Sequence, residues 1–155
     1  MITTTFEKLS DEEKDLLAAA ERATEHAYNP YNSKMRVGAA VRTATGKIIT
    51  GSNIGNASSS ANLCAERTAL AAAGIQGERN IKTIAIIGID HDGVVEEPVM
   101  PCGTCRQFMQ EFLPTSGGDI DVICSNTKKD KIAKTSAGEL LPFPYAGSGE
   151  MLPMR

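Results

Sequence analysis

Ile81-Lys82-Thr83-Ile84-Ala85-Ile86-Ile87-Gly88-Ile89 is the most strongly patterned stretch of the chain. A run so rich in isoleucine reads as a central strand, buried on both faces. Before it, Cys64 opens a helix whose body is Ala65 to Ala73, ended by Gly74. Further upstream, Val37 to Val41 and Lys47 to Asn53 read as strands joined by a turn at Ala44-Thr45-Gly46. After it, His91-Asp92-Gly93 is a turn, and a second helix starts near Pro101 and runs to Leu113, with Pro114 just beyond. Ile120 to Ser125 is another strand, and Lys131 to Thr135 a short edge strand. The strand–helix–strand–helix–strand order from Lys47 to Ser125 argues for an α/β class with a largely parallel section.

The flanks add less. Ser10-Asp11-Glu12-Glu13 is a helix start with the capping-box spacing. Leu16, Leu17, Ala20 and Ala23 carry that helix to about Tyr28, where Asn29-Pro30-Tyr31 breaks it. Asn56 to Ala61 is a polar loop, and Glu139-Leu140-Leu141-Pro142 begins the tail. A length of 155 residues without linker or repeat suits one domain, residues 1–155. The net charge of −3 offers no general attraction to polyanions, so nucleic acid and membrane surfaces are not expected partners. No basic, apolar leader opens the chain and no long apolar segment follows, which predicts a cytoplasmic protein.

The chain has four cysteines, at 64, 102, 105 and 124, and the first three, with Glu66, carry the chemistry. Without a sign of secretion, the C-x-x-C of Cys102 and Cys105 suits metal binding or redox work better than a disulfide. Cys64, Cys102 and Cys105 can fill three corners of a zinc tetrahedron, and a fourth corner left to water makes such a site catalytic. All three fall at expected helix starts, where free backbone N–H groups and the helix dipole favour thiolates. Both helices follow strands, so their starts share the sheet edge at which ligands bind in open α/β folds. Three thiolates leave zinc with excess negative charge. Arg67 and Arg106, each next to a motif residue, are candidates to offset it by bonding the ligand sulfurs; otherwise each is a solvated arginine. Glu66, two residues past Cys64, is placed to take a proton from the water and return it to substrate. The plainer role for Glu66 is favouring a helix dipole. Cys124, in the apolar run Ile120 to Cys124, reads as a buried strand cysteine. His26 and His91 read as structural or solvated. Two other classes remain in view. One is a structural zinc module with Cys124 as fourth ligand, and the other a C-x-x-C redox protein.

Cys64-Ala65-Glu66-Arg67-Thr68-Ala69 together with Pro101-Cys102-Gly103-Thr104-Cys105-Arg106-Gln107 resembles the cytidine deaminase family in its small homotetrameric form. The likeness extends to Asn29 through Ala40, Asn53 to Leu70 and Glu139 to Pro142. It implies a three-layer α-β-α sandwich around a mixed five-stranded sheet, one zinc per chain and a homotetramer. It also implies hydrolytic deamination of the cytosine of a nucleoside, cytidine or deoxycytidine. Cys64, Cys102 and Cys105 would hold zinc and Glu66 would shuttle protons. Arg67 would bond the ligand sulfurs, and the Ala65 N–H would meet the pyrimidine. Asn53, Met35, Gly55 and Pro101 would lie beside the substrate.

The departures from the family gather on the substrate side. The family reads N-x-E where this chain has Asn53-Ile54-Gly55, losing a glutamate that holds the ribose 3′-hydroxyl. A family tyrosine becomes Ser59, a phenylalanine becomes Met35, and Arg36 stands where proline is common. One residue is inserted between Tyr31 and Met35. Losing a charged acceptor for a hydroxyl costs about 1.5–3 kcal/mol, so a weaker demand for the 3′-hydroxyl is expected. Blasticidin-S deaminase, a member of this family, is similar in lacking that glutamate and in placing a tyrosine where Tyr145 stands. Deamination of blasticidin S or another modified cytosine nucleoside is therefore the alternative activity.

Overall fold

β4, Ile81–Ile89, lies inside the sheet, paired antiparallel with β2, Arg36–Thr43, and parallel with β5, Asp121–Ser125. The computed structural model describes residues 1–31, 35–91 and 93–147. The insertion expected before Met35 and Asp92 of the expected turn lie outside the described residues. The remaining strands are β1 (Ile2–Thr4), β3 (Ile48–Ser52) and β6 (Ile132–Ser136). The helices are α1 (Asp11–Ala23), α2 (Ala65–Ile75), α3 (Gly103–Gln110), α4 (Leu113–Ser116) and α5 (Ala137–Leu140).

Side chains alternate along the strands and define two faces. Ala39, Val41, Ile84, Ile86, Val122 and Cys124 pack with Ala65, Ala69, Leu70 and Ala73 of α2 and Met109 of α3. Ala40, Ala85, Ile87 and Ile123 pack with Leu16, Leu17, Ala19 and Ala20 of α1. The expected three layers are therefore present. α1 starts with the expected capping box, in which the Glu13 N–H donates to Ser10 Oγ and the Ser10 N–H to the Glu13 carboxylate.

Five expectations need correction. The sheet has six strands rather than five, in the order β1-β6-β5-β4-β2-β3. β1 was missed because three residues are too few to show alternation; it pairs with β6, which is therefore not at the edge. The parallel section is one ladder, β4 with β5. Tight connections at β2–β3 and β5–β6 leave no room for crossovers and force antiparallel pairing. α1 stops at Ala23 and one 3₁₀ turn, Thr24–His26, follows. Tyr28 is instead held to the sheet, its N–H donating to the Asn53 carbonyl and its carbonyl accepting from the Gly55 N–H. The helix after Pro101 is two pieces, with Pro114 in the first turn of α4, where its missing N–H costs nothing.

Gly51 lets α2 reach the sheet. A Cβ there would lie 2.3 Å from the Ala69 nitrogen and 2.6 Å from the Ala65 carbonyl oxygen. Thr68 Oγ1 donates to the Ser52 carbonyl at 3.0 Å, fixing the same turn. The start of α2, with its cysteine and glutamate, is thereby placed against β3. No helix among the described residues is long and apolar enough to cross a membrane.

Candidate active site

Cys64 is the N-cap of α2, Cys102 the N-cap of α3, and Cys105 lies in the first turn of α3. Neither cap sulfur accepts a capping bond from a backbone N–H of its own helix, and both turn to the other cysteines instead. The sulfurs of Cys64 and Cys102 are 3.8 Å apart, those of Cys102 and Cys105 3.5 Å, and all three lie within 4.8 Å of one another. Zn–S bonds of about 2.3 Å in a tetrahedron put sulfurs about 3.8 Å apart. The three thiols fit one zinc ion, and Glu66 is not part of the cluster.

The electrostatics favour a thiolate here before any metal is considered. A hydrogen bond from Cys105 and the nearby Arg67 guanidinium pull the Cys64 thiol down to about 5. The same hydrogen bond, with burial, pushes Cys105 up. Glu66 is only 4% exposed. Burial pushes its carboxyl above the usual range and the Cys64 charge adds to this, while a bond to its own backbone N–H opposes it. A carboxyl poised in this way is suited to holding and releasing a proton.

The two arginines differ. Arg67 Nη2 donates to the Asn62 carbonyl at 2.5 Å, and its buried Nε has no hydrogen-bond partner among the described residues. Arg106 Nε donates to the Pro101 carbonyl at 2.9 Å and its Nη1 to the Leu140 carbonyl at 3.4 Å. Those bonds tie the loop before Cys102 to α5, so its partners are carbonyls and not the ligand sulfurs suggested by sequence.

A cavity of about 250 Å³ opens over this cluster. Of the residues expected beside a substrate, Asn53, Ala65, Met35 and Gly55 line it, together with Glu66, Cys64 and Cys102. Pro101 is buried outside the lining. Tyr145 is 75% exposed, and its backbone is bonded at both N–H and carbonyl to the Gln107 amide on α3. Sequence reasoning missed Asn29, Asn62, Val99 and Met100 as lining residues. The last two immediately precede Pro101-Cys102, so proximity to the motif was an available signal; Asn29 had none until the loop was folded.

Cys124 is fully buried on β5, where burial pushes its thiol up to about 12. It is not in the cluster, so the closed four-cysteine arrangement lacks its fourth ligand. His26 and His91 are also outside it.

Residues 10–116 match the family described as "Cytidine and deoxycytidylate deaminase zinc-binding region". A cytidine deaminase of Sporosarcina psychrophila is 43% identical over 131 residues, covering 84% of this chain and 89% of its own. A blasticidin-S deaminase of Bacillus cereus is 32% identical, covering 83% and 91%. The crystal structure of a Burkholderia pseudomallei cytidine deaminase superposes with a TM-score of 0.75 at 38% identity, covering 88% of this chain and all of that one. With its three thiols gathered at two helix starts and a buried glutamate beside them, the chain belongs to the cytidine and deoxycytidylate deaminase family.

Proposed function

We propose that this protein hydrolyses the amino group from the cytosine of a nucleoside, converting cytidine or deoxycytidine to the uracil nucleoside and ammonia. The observation that carries this reading is Glu66, a buried carboxyl outside the three-cysteine cluster yet lining the same cavity. Cys64, Cys102 and Cys105 would hold zinc, which when bound supplies Lewis-acid activation of water at neutral pH. Glu66 accepts one proton from the water as its oxygen attacks the ring carbon and passes that proton to the ring nitrogen. It then takes the proton of the hydroxyl now on that carbon and passes it to the amine, which leaves as ammonia while the carbonyl forms. Ala65, the first residue of α2, has an N–H with no intrahelical acceptor and lines the cavity, which makes that N–H the donor for the base. Met35, Val37 and Val99 exclude bulk water from the base.

A second reading, deamination of blasticidin S, is favoured by Gly55, which puts no carboxylate into the lining to demand a ribose 3′-hydroxyl. Incubating the zinc-loaded protein with cytidine should release ammonia and uridine in equal amounts. Turnover of blasticidin S with none of cytidine would select the second reading, and turnover of neither would reject both.

The whole chain acts as one cytoplasmic deaminase domain, and its working state is a homotetramer. Four free cysteines suit a reducing compartment. The exposed Phe143 and Tyr145 suit a tail that packs on a neighbouring copy, and Tyr28, Ile54 and Leu63 add exposed apolar surface near the cavity. Light scattering at monomer mass with full activity would refute the assembly.

A further inference from the structure

Three asparagines line the cavity, and their amides are engaged differently. Asn53 Oδ1 accepts from the Val37 N–H at 2.8 Å and its Nδ2 donates to the Met35 carbonyl at 3.1 Å. Asn62 Oδ1 accepts from the Asn56 N–H at 2.7 Å. The half-buried Asn29 makes no side-chain hydrogen bond among the described residues. Its place is fixed from the main chain, because the preceding residue, Tyr28, is bonded to both Asn53 and Gly55.

Asn29 also depends on Gly55. A Cβ on residue 55 would lie 2.2 Å from Asn29 Oδ1 and 3.0 Å from its Cγ. Any side chain at position 55 would therefore start in the space the Asn29 amide occupies. The missing side chain at 55 and the inward amide at 29 are two halves of one arrangement. An amide offers both donor and acceptor, as a hydroxyl does. In a lining otherwise rich in Met35, Val37, Ile54, Leu63, Val99 and Met100, such a group fixes orientation.

We propose that Asn29, seated over Gly55, is a specificity-determining residue that hydrogen-bonds the 2′- or 3′-hydroxyl of the substrate's sugar. The inference rests on the nucleoside reading above: with the base at Glu66, the sugar is what remains to meet Asn29.

The test is steady-state kinetics of the zinc-loaded wild type, Asn29→Ala, Gly55→Ala and the double variant, on cytidine and 2′,3′-dideoxycytidine. The readout is the ratio of kcat/KM for the first substrate over the second. Both substrates are assayed on one preparation, so a lower folded fraction cancels from the ratio. Asn29→Ala should lower the ratio about tenfold, mainly through KM. Gly55→Ala, whose methyl displaces the amide, should lower it by a similar factor. The double variant should lose little more than either single one. A wild-type ratio near one, equal losses on both substrates, or additive losses in the double variant would overturn the inference while leaving deamination intact. No turnover of either substrate by the wild type would overturn the proposed function and the inference with it.

Discussion

One wall of the cavity hangs from two helix starts, and the other from loops and two isolated β-bridges, Tyr28 with Ile54 and Ile54 with Leu63. Cys64, Ala65, Glu66 and Cys102 stand at the first turns of α2 and α3. Asn29, Met35, Asn53 and Gly55 reach the same space from chain ends beside β2 and β3, where Tyr28 and Ile54 form an isolated bridge. On the helical wall the chemistry dictates residue type and spacing together. Zinc needs sulfurs about 3.8 Å apart, and only a few backbone arrangements deliver them. On the loop wall hydrogen bonding can be met by many residues, provided the backbone brings one of them in. The first wall is rigid and readable, while the second is where specificity is free to vary.

Breaking the helical wall should have the largest effect. Glu66→Gln removes the proton carrier while keeping the shape, and kcat should fall by at least about 10²–10⁴-fold. Zinc content should stay at one per chain, read by metal analysis beside the kinetics. Near-wild-type turnover would remove Glu66 from the reaction. Arg67→Ala leaves the Cys64 charge without its neighbouring cation. Activity should drop about 10–100-fold while zinc is kept, and unchanged kinetics would show that the thiolates need no such partner.

The loop wall should respond in stability before it responds in chemistry. Asn53 bonds two backbone groups next to β2. Asn53→Ala should therefore cost about 1–3 kcal/mol of unfolding free energy, measured by urea denaturation. No change would mean that the wall is held elsewhere. Tyr145→Ala should shift stability by less than about 0.5 kcal/mol in the isolated subunit, since the side chain is exposed. A cost above about 2 kcal/mol would show that it packs on its own subunit.

The same contrast explains what was legible from sequence. The Ile81–Ile89 strand was readable because its buried stretch, residues 84–88, is an unbroken apolar run, as a strand buried on both faces needs. The Cys64 and Cys102 helix starts were readable because ligand chemistry marks them. β1 was not, since Ile2–Thr4 becomes a strand only when β6 offers an edge. Arg106 looked like a partner for sulfur by adjacency to Cys105, but one helical turn directs it to Pro101 and Leu140. Asn29 gave no signal, because its meaning depends on an absent Cβ at residue 55, 26 positions away in the chain.

X-ray absorption at the zinc edge, on protein purified without chelator, tests the cluster most directly. Three sulfurs at about 2.3 Å and one lighter atom per zinc are predicted. Four sulfurs, which would bring in Cys124, or no bound zinc at all, would contradict it.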